Sequence, residues 1–112
     1  MSTEQKWVKY KTRNGVCKMQ LSSPMTIYTA DDLYSELQPK IKEIIYKSHA
    51  IELDLTQVEE IDTAGVQILM LIKRDMDRAG CAMRVRELSG AVEEVFGLYR
   101  LRKSCFPEGV VA

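Results

Sequence analysis

No apolar run in the chain approaches the ~20 residues needed to cross a bilayer. Nothing behind Met1-Ser2-Thr3-Glu4-Gln5-Lys6 reads as the apolar core of a signal peptide. A cytoplasmic protein is therefore expected. Cysteine is scarce and odd in number, with Cys17, Cys81 and Cys105 widely spaced and no C-x-x-C pair. That excludes a disulfide framework or a zinc site as the organising principle and points to reduced thiols packed as small apolar groups. His49 is the one histidine and has no partner at ligand spacing, so a surface role in a helix-to-strand turn is expected. There is no excess of charge of either sign, because 16 Lys and Arg meet 16 Asp and Glu. That balance argues against a general nucleic-acid binder and against an acidic disordered chain. A Gly-rich phosphate loop and a nucleophile elbow are both missing. The neighbouring carboxylates Asp31-Asp32 and Glu59-Glu60 do not converge on one proton, so they read as helix-start and loop charges. Neither a metal, a cofactor nor an enzymatic activity is expected.

What remains is an ordinary globular composition, 46% apolar and 29% charged, in 112 residues. That length suits one domain spanning 1–112, large enough to bury an apolar core. Strand-like and helix-like stretches alternate, which indicates an α/β chain. Val16 to Leu21 alternates as a strand. Trp7, Val8 and Tyr10 fit a hairpin partner across the Asn14-Gly15 turn. Met25-Thr26-Ile27-Tyr28 reads as a short extended piece. Thr29 and the acids Asp31-Asp32 start a helix whose apolar face is Leu33, Leu37, Ile41, Ile44 and Ile45. Pro39 lies inside it, so a kink or two helices end to end are expected. Ala50 to Leu55 is a strand with period two. Ala64 to Ala79 is the strongest helix, with Gly80 as its C-cap. Ala82 to Arg86 is another strand, and Ser89 caps a last helix carrying Val92, Val95, Phe96 and Tyr99. Cys105-Phe106 and Val110-Val111 read as an edge strand or a tail. Arg84, Arg86, Arg100, Arg102 and Lys103 make the C-terminal third basic, either a solvated face or a minor contact for an acidic partner.

The front of the Ala64 helix carries the functional interest. Asp62 or Thr63 can cap the orphan amides there. Gly65 leaves the first turn accessible. A hydroxyl at this point sits beside the positive end of the helix dipole, so a phosphate on Thr63 would be stabilised by that field and by free N–H groups. A plain helix cap is the bland alternative, and residue physics alone leaves both open. Further along the helix, Gln67, Met70, Lys73, Arg74 and Asp77 lie opposite the apolar side and form a candidate contact surface.

The stretch Ile51-Glu52-Leu53-Asp54-Leu55-Thr56, then Val58, then Ile61-Asp62-Thr63-Ala64-Gly65-Val66 resembles the STAS family, which comprises the anti-sigma factor antagonists and a domain appended to sulphate transporters. The family pattern is an apolar strand ending in Asp-Leu, a short connector, and Asp-Ser-Ser-Gly or Asp-Thr-Ala-Gly at a helix start. Met25 to Ala30 also resembles it. So does Leu88 to Leu98, close to the family's Ser-x-x-Val-x-x-x-Phe helix. The resemblance covers about residues 16–111. It implies the STAS fold, a mixed sheet of four to five strands with helices packed on it.

The resemblance further implies a non-enzymatic protein-interaction switch of the anti-sigma factor antagonist type. Thr63 matches the phosphoacceptor. The switch and partner-binding residues are then Asp62, Thr63, Ala64, Gly65, Gln67, Met70 and Arg74. The implied partner is a serine/threonine kinase or anti-sigma factor of the histidine-kinase-like ATPase fold, with a role in transcription regulation, no nucleic acid, no membrane insertion, and room for a homodimer. The pattern departs from the family at Ser23-Pro24-Met25-Thr26, which replaces the usual Gly-Glu-Leu-Asp, and at Thr63 and Ala64, which replace two serines. The Asp-Thr-Ala-Gly-Val-Gln form also resembles STAS proteins of chemotaxis-linked signalling assemblies and of phospholipid-transport ABC systems. In the latter the Thr serves subunit contact, which gives the alternative reading of a non-switching subunit.

Overall fold

Two consecutive residues with positive φ, Asn14 at 54° and Gly15 at 79°, reverse the chain near its start. This is the backbone twist that a two-residue hairpin requires. The computed structural model describes residues 7–99. The hairpin joins β1 (Val8–Arg13) to β2 (Val16–Leu21), paired antiparallel from Val8 opposite Leu21 to Arg13 opposite Val16. Then come α1 (Ala30–Lys47), β3 (Ala50–Leu55), α2 (Thr63–Arg78), β4 (Ala82–Leu88) and α3 (Gly90–Tyr99). The described sheet has four strands in the order β1-β2-β3-β4. β2, β3 and β4 run parallel to one another, so the sheet is mixed.

Period-two alternation decides which face is buried. Cys17, Met19 and Leu21 of β2 are buried, as are Ile51, Leu53 and Leu55 of β3 and Met83 and Val85 of β4. The helices bring Leu33, Leu37, Ile41 and Ile44 from α1, Val66, Ile68, Leu69, Ile72 and Met76 from α2, and Val92 and Phe96 from α3 to the same single core. Each fully buried aliphatic side chain of this kind contributes about 2 kcal/mol. The polar residues that alternate with the buried strand positions, among them Lys18, Glu52, Asp54, Arg84 and Arg86, form the other face, which no described helix covers.

Three local expectations are corrected. At Pro39 it is the expectation of two helices end to end that is corrected, because α1 runs as one helix from Ala30 to Lys47. Pro39 is exposed and so is Ser35, whose carbonyl loses its helical donor but faces solvent, so the lost bond costs little. One residue on, the Lys40 ammonium donates to the Glu36 carbonyl at 3.1 Å. Met25 to Tyr28 is extended only at Met25, which makes an isolated parallel bridge to Ile61. Residues 26–29 turn instead, because Thr29 N–H reaches the Thr26 carbonyl at 3.0 Å and the two threonine hydroxyls accept from nearby amides. β4 continues two residues past Arg86 to Leu88, across an irregularity where Asp54 pairs with Glu87 rather than Arg86. The expected strand or tail at Cys105-Phe106 and Val110-Val111 lies outside the described residues, as do Arg100, Arg102 and Lys103.

Candidate functional site

The end of β3 prepares the site. The Asp54 carboxylate accepts from the Thr56 amide at 2.9 Å and from its hydroxyl at 2.6 Å, turning the chain out of the sheet. Burial raises the Asp54 carboxyl, but the two Thr56 bonds, a Gln20 bond and the Arg86 charge outweigh it, and the group sits below its ordinary value. Residues 56–62 then cross to α2. Val58 N–H bonds the Leu55 carbonyl, and the Ser89 hydroxyl donates to the Val58 carbonyl, so the start of α3 braces the connector.

Asp62 is the N-cap of α2. Its Oδ1 accepts from the Ala64 amide at 2.9 Å and the Gly65 amide at 3.4 Å. Its Oδ2 accepts from the Ile27 amide at 3.0 Å. One carboxylate therefore satisfies two orphan amides of the helix and clamps the β2–α1 loop against it. The backbone repeats the clamp: Met25 N–H bonds the Glu60 carbonyl and Asp62 N–H bonds the Met25 carbonyl.

Gly65 differs from the expectation that it opens the first turn. It is buried, and a Cβ there would lie 2.2 Å from the Met25 carbonyl oxygen and 2.9 Å from Ile61 Cγ1. Its missing side chain makes room for the loop rather than for solvent. Thr63 is exposed at the first position of α2, and Ala64 beside it is half-buried. The amides nearest Thr63 are already taken by Asp62. A phosphate on the hydroxyl would lie at the favourable dipole end, yet beside a like charge that owns the amides. The arrangement suits a group that changes the outer surface rather than one that refolds the turn.

Thr63, Gln67, Met70, Arg74 and Asp77 follow at spacings of four and three, and all are exposed, so they form one stripe along α2 of ~21 Å. Arg74 reaches Asp75 at 3.4 Å, an exposed pair worth little. Lys73 belongs less to the stripe than expected: it is half-buried and lies 3.1 Å from Asp77.

Two residues that sequence reasoning did not select join this surface. Ile27 is 71% exposed and Tyr28 92% exposed, on the loop that Asp62 holds against α2. Tyr46 and Leu98 are also exposed, but Ile27 and Tyr28 are adjacent and held beside the α2 stripe, so they extend it into one contiguous patch. The signal was present as Ile27-Tyr28 in a segment bounded by Pro24 and Thr29, but reading it as a strand gave both side chains ordinary places. His49 is exposed, its ring set over Gly15. Among the described residues no group of three or more His, Cys, Asp and Glu could hold a metal ion. No described helix is long and apolar enough to cross a membrane.

The profile of the STAS_2 family, described as "Mlab, STAS domain", matches residues 8–111. No curated protein sequence matches the chain. Among solved structures, an anti-sigma factor antagonist from Mycobacterium paratuberculosis is similar in fold at TM-score 0.75 and 20% identity, over 93% of this chain and 83% of that one. The Bacillus cell fate determinant SpoIIAA in its phosphorylated form is similar at TM-score 0.65 and 10% identity, over 93% and 88%. The murine anion transporter Slc26a9 is similar at TM-score 0.75 and 16% identity, over 89% of this chain but only 16% of the transporter.

Proposed function

The chain belongs to the STAS domain family, and on that premise we propose that it is a non-enzymatic protein-interaction switch of the anti-sigma factor antagonist type. Its binding surface is the start of α2 with Asp62, Thr63, Ala64 and Gly65, the stripe through Gln67, Met70 and Arg74, and the clamped loop with Ile27 and Tyr28. Its partner is a kinase or anti-sigma factor of the histidine-kinase-like ATPase fold, which phosphorylates Thr63 and so regulates its own binding. The observation that carries this reading is the pairing of an exposed Thr63 with an exposed apolar loop fixed beside it by Asp62. An apolar anchor gives the surface affinity. A phosphate of about −1.5 to −2 charge next to Asp62 opposes burial of that anchor through charge repulsion and desolvation.

The test incubates the protein with ATP and a cognate kinase of the histidine-kinase-like ATPase fold, then maps phosphate by mass spectrometry. Phosphate on Thr63, with binding lost on Thr63→Glu, supports the switch. An active kinase that leaves Thr63 unmodified refutes it. The second reading, a non-switching STAS subunit of a phospholipid-transport ABC system, uses the same surface without the phosphate. It is favoured by the Asp-Thr-Ala-Gly form and by the "Mlab" description of the matching family. It predicts stable association with the transport assembly, and Thr63→Ala that weakens it in the absence of any kinase.

A further inference from the structure

The sheet face on which no described helix packs has a charge pattern that the α2 surface does not use. Lys9, Lys11 and Arg13 alternate with Val8, Tyr10 and Thr12 along β1, which places the three cations on the open face. The register sets Lys18 directly beside Lys11. None of these four cations makes an ion pair among the described residues. Of the three acids that line the hollow, Glu52 and Asp54 are already engaged, and Glu87 lies at its β4 end, away from the β1 edge. Glu52 lies 3.7 Å from Arg84 and 3.4 Å from Arg86, and Asp54 holds Thr56 and Gln20. The face is also hollow: a concavity of about 510 Å³ opens on the inner side of Lys9 and Lys11, reaching Lys18, Gln20 and Arg86.

β1 pairs with β2 alone among the described residues, so its outer edge leaves every second amide and carbonyl without a strand partner. Lysines on such an edge oppose pairing with a second copy, because each copy would bring its own cations to the junction. The same lysines select an edge partner of opposite charge. We propose that the β1 edge docks an extended acidic segment of a partner protein, which adds as a further strand of the sheet. Its carboxylates stand opposite Lys9, Lys11 and Arg13, and its longer acidic side chains lean into the hollow toward Lys18. Backbone hydrogen bonds supply affinity and the cations supply choice of partner. This surface lies on the other side of the sheet from α2 and does not depend on the reading of Thr63.

The experiment titrates the whole protein with a synthetic peptide of alternating glutamate and valine, followed by amide NMR shifts and hydrogen exchange. The expected result is shifts across Lys9–Arg13, slowed exchange at alternate β1 amides, and binding that weakens with salt. The triple variant Lys9→Gln/Lys11→Gln/Lys18→Gln should raise Kd at least about tenfold, the sum of three exposed ion pairs. Its thermal melt reports that the fold is kept. The control Lys42→Gln/Lys47→Gln on α1 should leave Kd unchanged, and so should Thr63→Glu. The proposal is overturned if β1 amides do not respond, or if the α1 control weakens binding equally. It is also overturned if vesicles of phosphatidylserine and phosphatidylcholine bind through Lys9, Lys11 and Lys18 while the peptide does not.

Discussion

α2 and α3 begin in the same way and serve different ends. Each is capped by a side chain that accepts from an amide two or three residues on: Asp62 from Ala64 and Gly65, and Ser89 from Val92 at 3.2 Å. Each cap also reaches a neighbouring segment, Asp62 the Ile27 amide and Ser89 the Val58 carbonyl. The difference lies in the residues just after the cap. At α3 the next residue is Gly90, with open space where a Cβ would stand. At α2 the next residues are an exposed Thr63 and a buried Gly65 pressed on the Met25 backbone. Capping is therefore no evidence of a functional site. A cap that also fixes an exposed apolar loop beside a hydroxyl is such evidence.

The comparison breaks most sharply at the glycines. Gly65→Ala places a Cβ within 2.2 Å of a backbone oxygen that cannot rotate away, so the 25–28 loop must move. A loss of about 3 kcal/mol is expected in chemical denaturation. Gly90→Ala meets nothing and removes backbone freedom from the unfolded chain, so a change between zero and about 1 kcal/mol in the stabilising direction is expected. Equal losses at the two positions would mean that the loop does not rest on α2. The caps come next. Asp62→Ala removes the acceptor of three amides and should cost about 2 kcal/mol, while Ser89→Ala removes a two-bond cap and should cost about 1 kcal/mol. The Asp62 variant should in addition speed hydrogen exchange at Ile27, which Ser89→Ala should leave alone.

The sequence carried most of the fold because its elements are periodic and punctuated. Asn14-Gly15 named the hairpin, Leu33 to Ile44 the buried face of α1, and Ile51, Leu53 and Leu55 the inward side of β3. What it hid was tertiary. Pro39 looked like a break because its exposure, and that of Ser35, cannot be read from spacing. Ile27 and Tyr28 looked like strand residues because two threonine hydroxyls that close a turn at 26–29 leave no periodic trace. Gly65 looked like an opening because the chain that fills it, at Met25, lies far earlier in the sequence. At the candidate site the chemistry-bearing residues Asp62 and Thr63 were legible from helix-start rules. The apolar anchor beside them was not, since it enters only through the Asp62–Ile27 contact.

A third contrast concerns the connector that both helix starts share. Asp54 shapes its first turn, and its carboxyl sits below the ordinary value despite burial, because the Thr56 bonds favour the charged form. A depressed carboxyl contributes stability above its unfolded value of about 4, and that contribution is lost as pH falls through the lower, folded value. The melting temperature should therefore decline more steeply on acidification below about pH 4 in the native protein than in Asp54→Asn. The two proteins should show parallel slopes between pH 6 and 8. Identical acid slopes would assign the Thr56 turn to the backbone rather than to the carboxylate.

The smallest effect on stability is expected where the largest effect on binding is expected, at Thr63. Glutamate at the first position of a helix gains from the dipole, about 0.3–1 kcal/mol, and loses a similar amount to Asp62 beside it. The net change in unfolding free energy for Thr63→Glu should stay within about 0.5 kcal/mol, which is the ordinary range for an exposed position. Partner affinity should nevertheless fall at least about tenfold, because burying Ile27 and Tyr28 against a partner would bury that charge with them. Calorimetric binding and thermal melting on one preparation separate the two quantities. If stability falls by as much as Ser89→Ala costs while affinity holds, Thr63 serves the fold of the helix start and not a partner. If affinity alone falls, the start of α2 differs from the start of α3 in function and not in how it is held.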